Sequence, residues 1–219
     1  MELTILHAGK GYVVIDKPAG IAVERNFNND TVEARALVQW RRPGSTKPPY
    51  VGIVHRLDRP VSGCLIVAKN ISTLRLLNKA FEEKKVDKTY LARTATPLPA
   101  EKGSLKHYLA RDHKGRKAVA SKRPVAGAKE SLLHYKLVGR VEEDYLYEIT
   151  PITGRFHQIR VQLATAGAPI IGDVTYGSER IYLPECICLR AVRLGFADPH
   201  TGERTEVSAP AIDWATTPK

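Results

Sequence analysis

The amino-acid sequence predicts an α+β fold, organised as one domain over residues 1–219. Short β-branched or aliphatic runs bounded by Gly, Pro, Asn and Asp recur along the chain, among them 12–16, 51–54, 64–68 and 145–150. Three other stretches carry apolar residues at helical spacing, and the two kinds do not alternate as a β-α-β series would. With 219 residues, 43% hydrophobic and 26% charged, the chain can bury one sizeable core.

Residues 12–16 form the first strand, ended by the turn Lys17-Pro18-Ala19-Gly20. A helix is expected from Thr31 to about Trp40, with Asp30 as N-cap, Glu33 three residues on, and Val32, Ala36, Leu37 and Trp40 as its apolar stripe. The basic, Pro-rich stretch 41–49 suits phosphate contact or a solvated linker equally well. Residues 51–54 and 64–68 read as buried strands around a loop marked by Pro60 and Gly63. Ser72 is expected to cap a second helix, with Leu74, Leu77 and Phe81 on its inner side and Lys84-Lys85 at its C-terminal end. Residues 88–95 then form a strand with Tyr90, Ala92 and Thr94 on one face.

From about 100 to 129 periodicity is lost and the chain turns strongly basic, with His107, Tyr108 and His113 interleaved. This reads as a long excursion of short strands, either an RNA grip or a mobile solvated loop. Residues 131–138 and 145–150 pair as strands, and Pro151-Ile152-Thr153-Gly154 ends the second. A helix is predicted over 155–166, with Ile159, Leu163 and Ala166 inward and Gly167 at its end. On it His157 and Arg160 share a face while Arg155 lies well round, a basic helix start suited to anions. A turn at 172–177, a long strand over 186–196, the turn 198–202 and a last short strand ending near Pro210 complete the chain.

Lys and Arg number 34 against 23 acidic residues, a net charge of +11 that attracts polyanions, RNA first among them. No basic amphipathic helix with a strong apolar face accompanies the charge, which argues against membrane-surface binding. Cys64, Cys186 and Cys188 have no framework spacing, and Cys186 and Cys188 are expected to point the same way along a strand as packing residues. A metal site is not expected, nor is a nucleotide cofactor, for want of ligand clusters and Gly-rich phosphate loops. The polar N-terminal residues do not read as a signal peptide, and a cytoplasmic protein is expected.

The chemistry concentrates at 52–69. Asp58 is a lone carboxylate flanked by Arg56 and Arg59 on a loop between two core strands, a way to keep a reactive acid ionised and fixed. A surface loop with ordinary ion pairs has the same composition. The string His55-Arg56-Leu57-Asp58 resembles the signature of the RluA-type pseudouridine synthases, which isomerise uridine in RNA. Further pieces are similar to that family's motifs in the same order: Asp16-Lys17-Pro18-Ala19-Gly20, Lys88-Thr89-Tyr90, Gly154-Arg155-Phe156-His157-Gln158-Ile159-Arg160 with Gly172-Asp173, and the C-terminal strand pair 189–210. Val61, where a Thr is usual, and Arg190, where relatives often have His, depart from the pattern.

The resemblance implies a mixed, mostly antiparallel sheet flanked by helices, with an active cleft across its middle. It implies a short form without the small N-terminal RNA-binding domain, so that gripping falls to the catalytic domain. Asp58 becomes the essential acid. Arg160 pairs with it and holds it ionised, and Tyr90 stacks on the flipped uracil and takes the C5 proton. Arg56 fills the gap left by the extruded nucleotide, and His55, Arg59, Arg155, His157 and Lys17 join it as RNA-binding residues. The partner is ribosomal or transfer RNA, no cofactor is needed, and a monomer is the default. Two rival classes are weaker. A His55, Asp58, Ser62 triad would crowd three members into eight residues without a nucleophile elbow. An RNA-binding protein without catalysis explains the charge, but leaves Asp58, Tyr90 and Arg160 together without a purpose.

Overall fold

The computed structural model describes residues 2–26 and 29–215. In chain order the elements are β1 (Thr4–Gly9), β2 (Tyr12–Lys17), α1 (Val32–Gln39), β3 (Gly52–Ile53), β4 (Ser62–Ala68), α2 (Ile71–Glu82), β5 (Asp87–Thr94), β6 (Lys102–Asp112), β7 (Lys117–Ser121), β8 (Lys129–Val141), β9 (Asp144–Pro151), α3 (Gln158–Thr165), β10 (Leu189–Ala197) and β11 (Arg204–Ser208). The fold is α+β, as the unalternating pattern predicts. The chain divides into two compact units, 1–88 with 191–210 and 89–190 with 211–219. No helix among the described residues is long and apolar enough to cross a membrane.

In the first unit the strand order is β1-β2-β4-β10, with β3 also on β4 and β11 on β10. Strand β4 is buried along all seven residues, so it reads as an unbroken apolar run rather than an alternation. Tyr12, Val14, Cys64, Ile66, Leu77, Leu194 and Phe196 make one core cluster, and burying each large apolar side chain contributes roughly 1.5–3 kcal/mol. Helix α2 enters that core through Leu77, with Leu74 and Phe81 packed against it.

Both helix starts in this unit differ from expectation. Thr31, not Asp30, caps α1, its hydroxyl accepting from Ala34 N at 3.1 Å. Asp30 turns outward to the Arg35 guanidinium, which holds its carboxyl below the usual range. Asn70, not Ser72, caps α2 by accepting from Thr73 N at 2.8 Å, and Ser72 donates to the same Asn70 oxygen. A short carboxylate or amide reaches the second or third amide ahead, so neighbouring polar residues compete for one cap. The turn at 198–202 forms as expected. The Asp198 carboxylate accepts from His200 N and Thr201 N and, at 2.7 Å, from the Tyr12 hydroxyl. Burial, then Asp198, pushes Tyr12 up to about 12.

In the second unit the order is β5-β9-β8-β6-β7, joined by antiparallel ladders throughout. The basic excursion proves to be regular structure. Strand β6 runs eleven residues, pairing with β8 on one side and β7 on the other. Its alternation is masked because a polar residue, His107, occupies an inward position beside Leu109 while Lys102, Ser104 and Lys106 face out. The predicted helix over 155–166 shrinks to α3, since His157 adopts left-handed backbone (φ 52°) and cannot lie inside a helix. Residues Gln158 to Leu163 are all buried, so α3 has no solvated basic side along those turns. The predicted strand over 186–196 begins only at Leu189. Cys188 instead bonds through its N–H to Ile171 O and through its carbonyl to Arg93 N, so Cys186 and Cys188 lie on a bend with only Cys188 fully buried.

A close approach sets one glycine in the first unit. Gly63 has φ +113°, and a Cβ there would stand 2.1 Å from Ala191 O. The substitution Gly63→Ala is expected to cost at least about 2 kcal/mol, through left-handed strain and a clash with backbone. Urea denaturation of the variant against the unmodified chain measures it.

Candidate functional site

The loop carrying Asp58 is held from beneath by a lysine. Lys17 at the end of β2 is fully buried, and its ammonium donates to the carbonyls of Pro18 (2.8 Å), Val61 (2.8 Å) and Arg59 (3.3 Å). An ammonium has three N–H donors, so one buried side chain gathers two turns, 17–20 and 58–61. The same turns are joined again by Gly20 N to Arg59 O at 2.9 Å and by Arg59 Nε to Gly20 O at 2.8 Å. Gly20 takes φ +86°, which glycine adopts without strain. Asp58 O accepts from Val61 N at 3.0 Å, closing the turn that presents the half-buried Asp58 side chain.

His55 anchors the loop from its other end. Strand β3 pairs with Val67 and Ala68 of β4 and then stops. The next β4 donor, Ile66 N–H, is taken by His55 Nε2 at 3.1 Å, while the ring stacks on Phe81 at 4.7 Å. An accepting Nε2 must be unprotonated, and burial, with a smaller push from the Lys88 charge, drives His55 down to about 3. Arg56 points outward, its side chain 69% exposed and in a 3.3 Å surface pair with Glu24. Such a pair is worth at most about 1 kcal/mol, so Glu24 yields Arg56 readily to a stronger anion.

In the second unit Tyr90 lies half-buried on β5, opposite Ile149 of β9. Arg160, in the first turn of α3, is buried and held by Asp173 in a bidentate pair, Nε to Oδ2 at 2.7 Å and a terminal nitrogen to Oδ1 at 2.9 Å. Its guanidinium carbon lies 5.1 Å over the Tyr176 ring. The loop before α3 is closed by Gln158, whose Oε1 accepts from Arg155 N at 2.9 Å and from the Thr153 hydroxyl at 2.8 Å. Arg155 is exposed, and His157 Nδ1 lies 2.9 Å from the Tyr176 hydroxyl.

The structure thus gathers Lys17, Asp58 and Arg59 on two joined turns with His55 and Arg56 just ahead of the second, and Arg155, His157 and Arg160 at the entry to α3. Two assignments are corrected. Lys17 and His55, read as RNA-binding, are internal braces. One is an ammonium consumed by carbonyls, the other an uncharged acceptor in a strand ladder. Arg59 is in part a brace through Gly20. His157 and Arg160 share no helical face, because His157 stands before the helix in left-handed backbone. In the sequence Asp173 has no role beyond its place in a motif, and Tyr176 none beyond the turn at 172–177. The sequence carried no signal for this role of Asp173: only the fold shows its carboxylate 1% exposed, where it requires a cation, and Arg160 meeting it.

The chain matches the family model described as RNA pseudouridylate synthase over residues 11–165. It is 35% identical to an uncharacterized RNA pseudouridine synthase of Chlorobaculum parvum over 96% of this chain and 71% of the relative. It is 34% identical to the ribosomal large subunit pseudouridine synthase D of Borreliella burgdorferi over 81% of this chain, where it spans 55% of the relative's length. Among solved structures, human RNA pseudouridylate synthase domain containing 1 superposes with a TM-score of 0.75 at 25% identity, covering 96% of this chain and 84% of that one.

Two outcomes follow from the geometry. Because His55 titrates far lower folded than its ordinary 6.5, the unfolded chain binds the proton first as pH falls. Its contribution is therefore complete above about pH 6.5 and is lost as pH drops toward 3. Urea denaturation between pH 6 and 4 is expected to show the unmodified chain losing about 1.4 kcal/mol per pH unit more than His55→Gln; parallel curves would refute the assignment. Replacing Asp173 by Ala leaves a buried guanidinium without its bidentate partner and is expected to cost about 3–5 kcal/mol in the same assay.

Proposed function

The chain belongs to the RNA pseudouridine synthase family, and on that premise we propose that it isomerises specific uridines of ribosomal or transfer RNA with Asp58 as the essential acid. The reaction breaks the N1–C1′ glycosidic bond, turns the uracil, joins C5 to C1′ and moves the C5 proton away, with no net redox change. What a protein must supply is a fixed carboxylate, a surface to hold the freed base, and a base for the last proton. The observation that carries the assignment of Asp58 is the bracing beneath it, in which Lys17 and Arg59 bind the two turns at three carbonyls and Gly20. A carboxylate needed only for solubility has no use for a buried ammonium under its loop.

Asp58 acts first, attacking or removing a proton at the sugar or base. Tyr90 stacks on the uracil and takes the C5 proton late. Arg160, its plane set by the bidentate Asp173 pair, is the cation this reading assigns to the reaction alongside Asp58. Arg56 exchanges its weak Glu24 contact for the RNA and occupies the place of the extruded nucleotide. Arg155 and Arg59 contact phosphates. The net charge of +11 supports long-range attraction of such a substrate. The names of relatives that act on the ribosomal large subunit favour ribosomal RNA as the first place to look. The same reading has the protein work in the cytoplasm as a monomer.

The test maps pseudouridines in RNA from cells lacking the gene and from cells carrying only an Asp58→Ala copy. The same sites are expected to vanish in both and return with the unmodified gene. Restoration of every site by Asp58→Ala would remove Asp58 from the chemistry, and an unchanged map in both strains would favour a non-catalytic RNA-binding protein. With purified protein and the RNA so identified, Asp58→Ala is expected to lower turnover by at least about 10²–10⁴-fold. Tyr90→Phe keeps the stacking ring, so kcat is expected to fall while KM holds.

A further inference from the structure

Where the loop before α3 meets strand β6 of the β6–β7 hairpin, the second unit carries an aromatic column that the proposed reaction does not use. Phe156 is 38% exposed, and the His157 ring stacks on it at 3.8 Å and 20°. The Arg111 guanidinium carbon lies 4.3 Å from the centroid of the same Phe156 ring. Two planar groups at such distances cannot share one face, so imidazole and guanidinium take opposite faces of the phenyl. The base of the column is fixed. The Tyr176 hydroxyl is 2.9 Å from His157 Nδ1 and accepts from Ala118 N on β7 at 2.8 Å, and the Tyr176 ring meets His157 edge-on. Leu109, Ala118 and Val161 bury an apolar floor against Tyr176. Arg111 is exposed and forms the outer end.

The surroundings are those of a polyanion track. The hairpin tip 112–117 presents Lys114, Arg116 and Lys117 to solvent. It is ordered by the Asp112 carboxylate, which accepts from Lys114 N and Gly115 N at 3.0 Å each. A pre-stacked column ending in a guanidinium, beside a row of cations, is the arrangement that receives an unpaired base together with its phosphates.

We propose that Arg111, Phe156 and His157 form a stacking site for an unpaired base of the RNA, outside the uridine being isomerised, with Lys114 and Lys117 on the adjoining phosphates. The inference rests on RNA as the partner and deepens the reading given above. The site reads the presence of a base and not its identity, because every base has a π face and no hydrogen-bonding edge is engaged.

Filter binding with two single-stranded oligomers of about twelve nucleotides, oligocytidylate and an abasic ribose-phosphate chain of equal charge, separates stacking from charge. Cytidylate is not a substrate for uridine isomerisation, so this readout is independent of catalysis and of the pseudouridine map. The unmodified chain is expected to prefer the base-bearing oligomer by about 5- to 150-fold. Arg111→Lys, which keeps the charge and loses the plane, and Phe156→Ala are both expected to abolish most of that preference. Lys114→Ala and Lys117→Ala are expected to weaken both oligomers alike and to reduce the salt slope by about 0.7 each. Equal binding of the two oligomers by the unmodified chain overturns the proposal. So does full preference in Arg111→Lys and Phe156→Ala, or an equal loss on both oligomers in those two variants. A pseudouridine map that depends on Asp58 would stand in any of these cases.

Discussion

The ammonium of Lys17 is the interaction on which the first unit's site depends. Burying a cation costs several kcal/mol unless its donors are filled, and here the carbonyls of Pro18, Arg59 and Val61 fill them. The charge therefore cannot leave without a large penalty, and the carbonyls cannot drift apart while it stays. Since those carbonyls belong to the 17–20 turn and to the turn that carries Asp58, the penalty is converted into positional precision for one carboxylate. His55 completes the arrangement by substituting a ring nitrogen for the missing β3 acceptor opposite Ile66. Neither residue has to touch a substrate for the loop to fail without it.

The second unit uses the same physics with the opposite sign. Asp173 is a carboxylate 1% exposed, and the Arg160 guanidinium alongside it is 5% exposed, so each makes the other tolerable. A bidentate fork also sets the plane of the guanidinium, which a single lysine contact would not. A second knot, the buried Asp144 carboxylate between Arg93 and the half-exposed Arg180, fastens the β8–β9 turn in the same unit. Charged residues that a composition reading assigns to RNA thus divide into two populations. Buried ones brace turns, and others such as Arg56, Arg111, Lys114 and Arg155 keep exposed side chains.

That division explains how far the sequence was legible. The α+β pattern, the three helices and the strand pair β8–β9 followed from apolar periodicity, which is a local property. The Asp58 loop followed from turn residues between two apolar strands. What failed was local in appearance but tertiary in cause. The caps of α1 and α2 were misplaced because Asp30 is drawn to Arg35 while Thr31 satisfies Ala34 N. The helix start moved from 155 to 158 because Gln158 folds back on Thr153 and Arg155. The excursion reads only as short strands in the sequence, and the full eleven-residue run of β6 stays hidden there because a buried histidine interrupts its alternation.

The sequence by itself determined the family, the elements that periodicity can report and the identity of the lone acid in its arginine-flanked loop. Those depend on residue order alone. The tertiary structure decided which basic residues are available to RNA, because availability depends on whether a cation finds carbonyls or a carboxylate in a dry interior. Lys17 and Arg59 are both cations beside a turn, and sequence alone does not separate them. In the fold one is 0% exposed under three carbonyls, and the other keeps an exposed side chain that reaches Gly20. The desolvation cost of a charge, paid or avoided according to its surroundings, makes the difference.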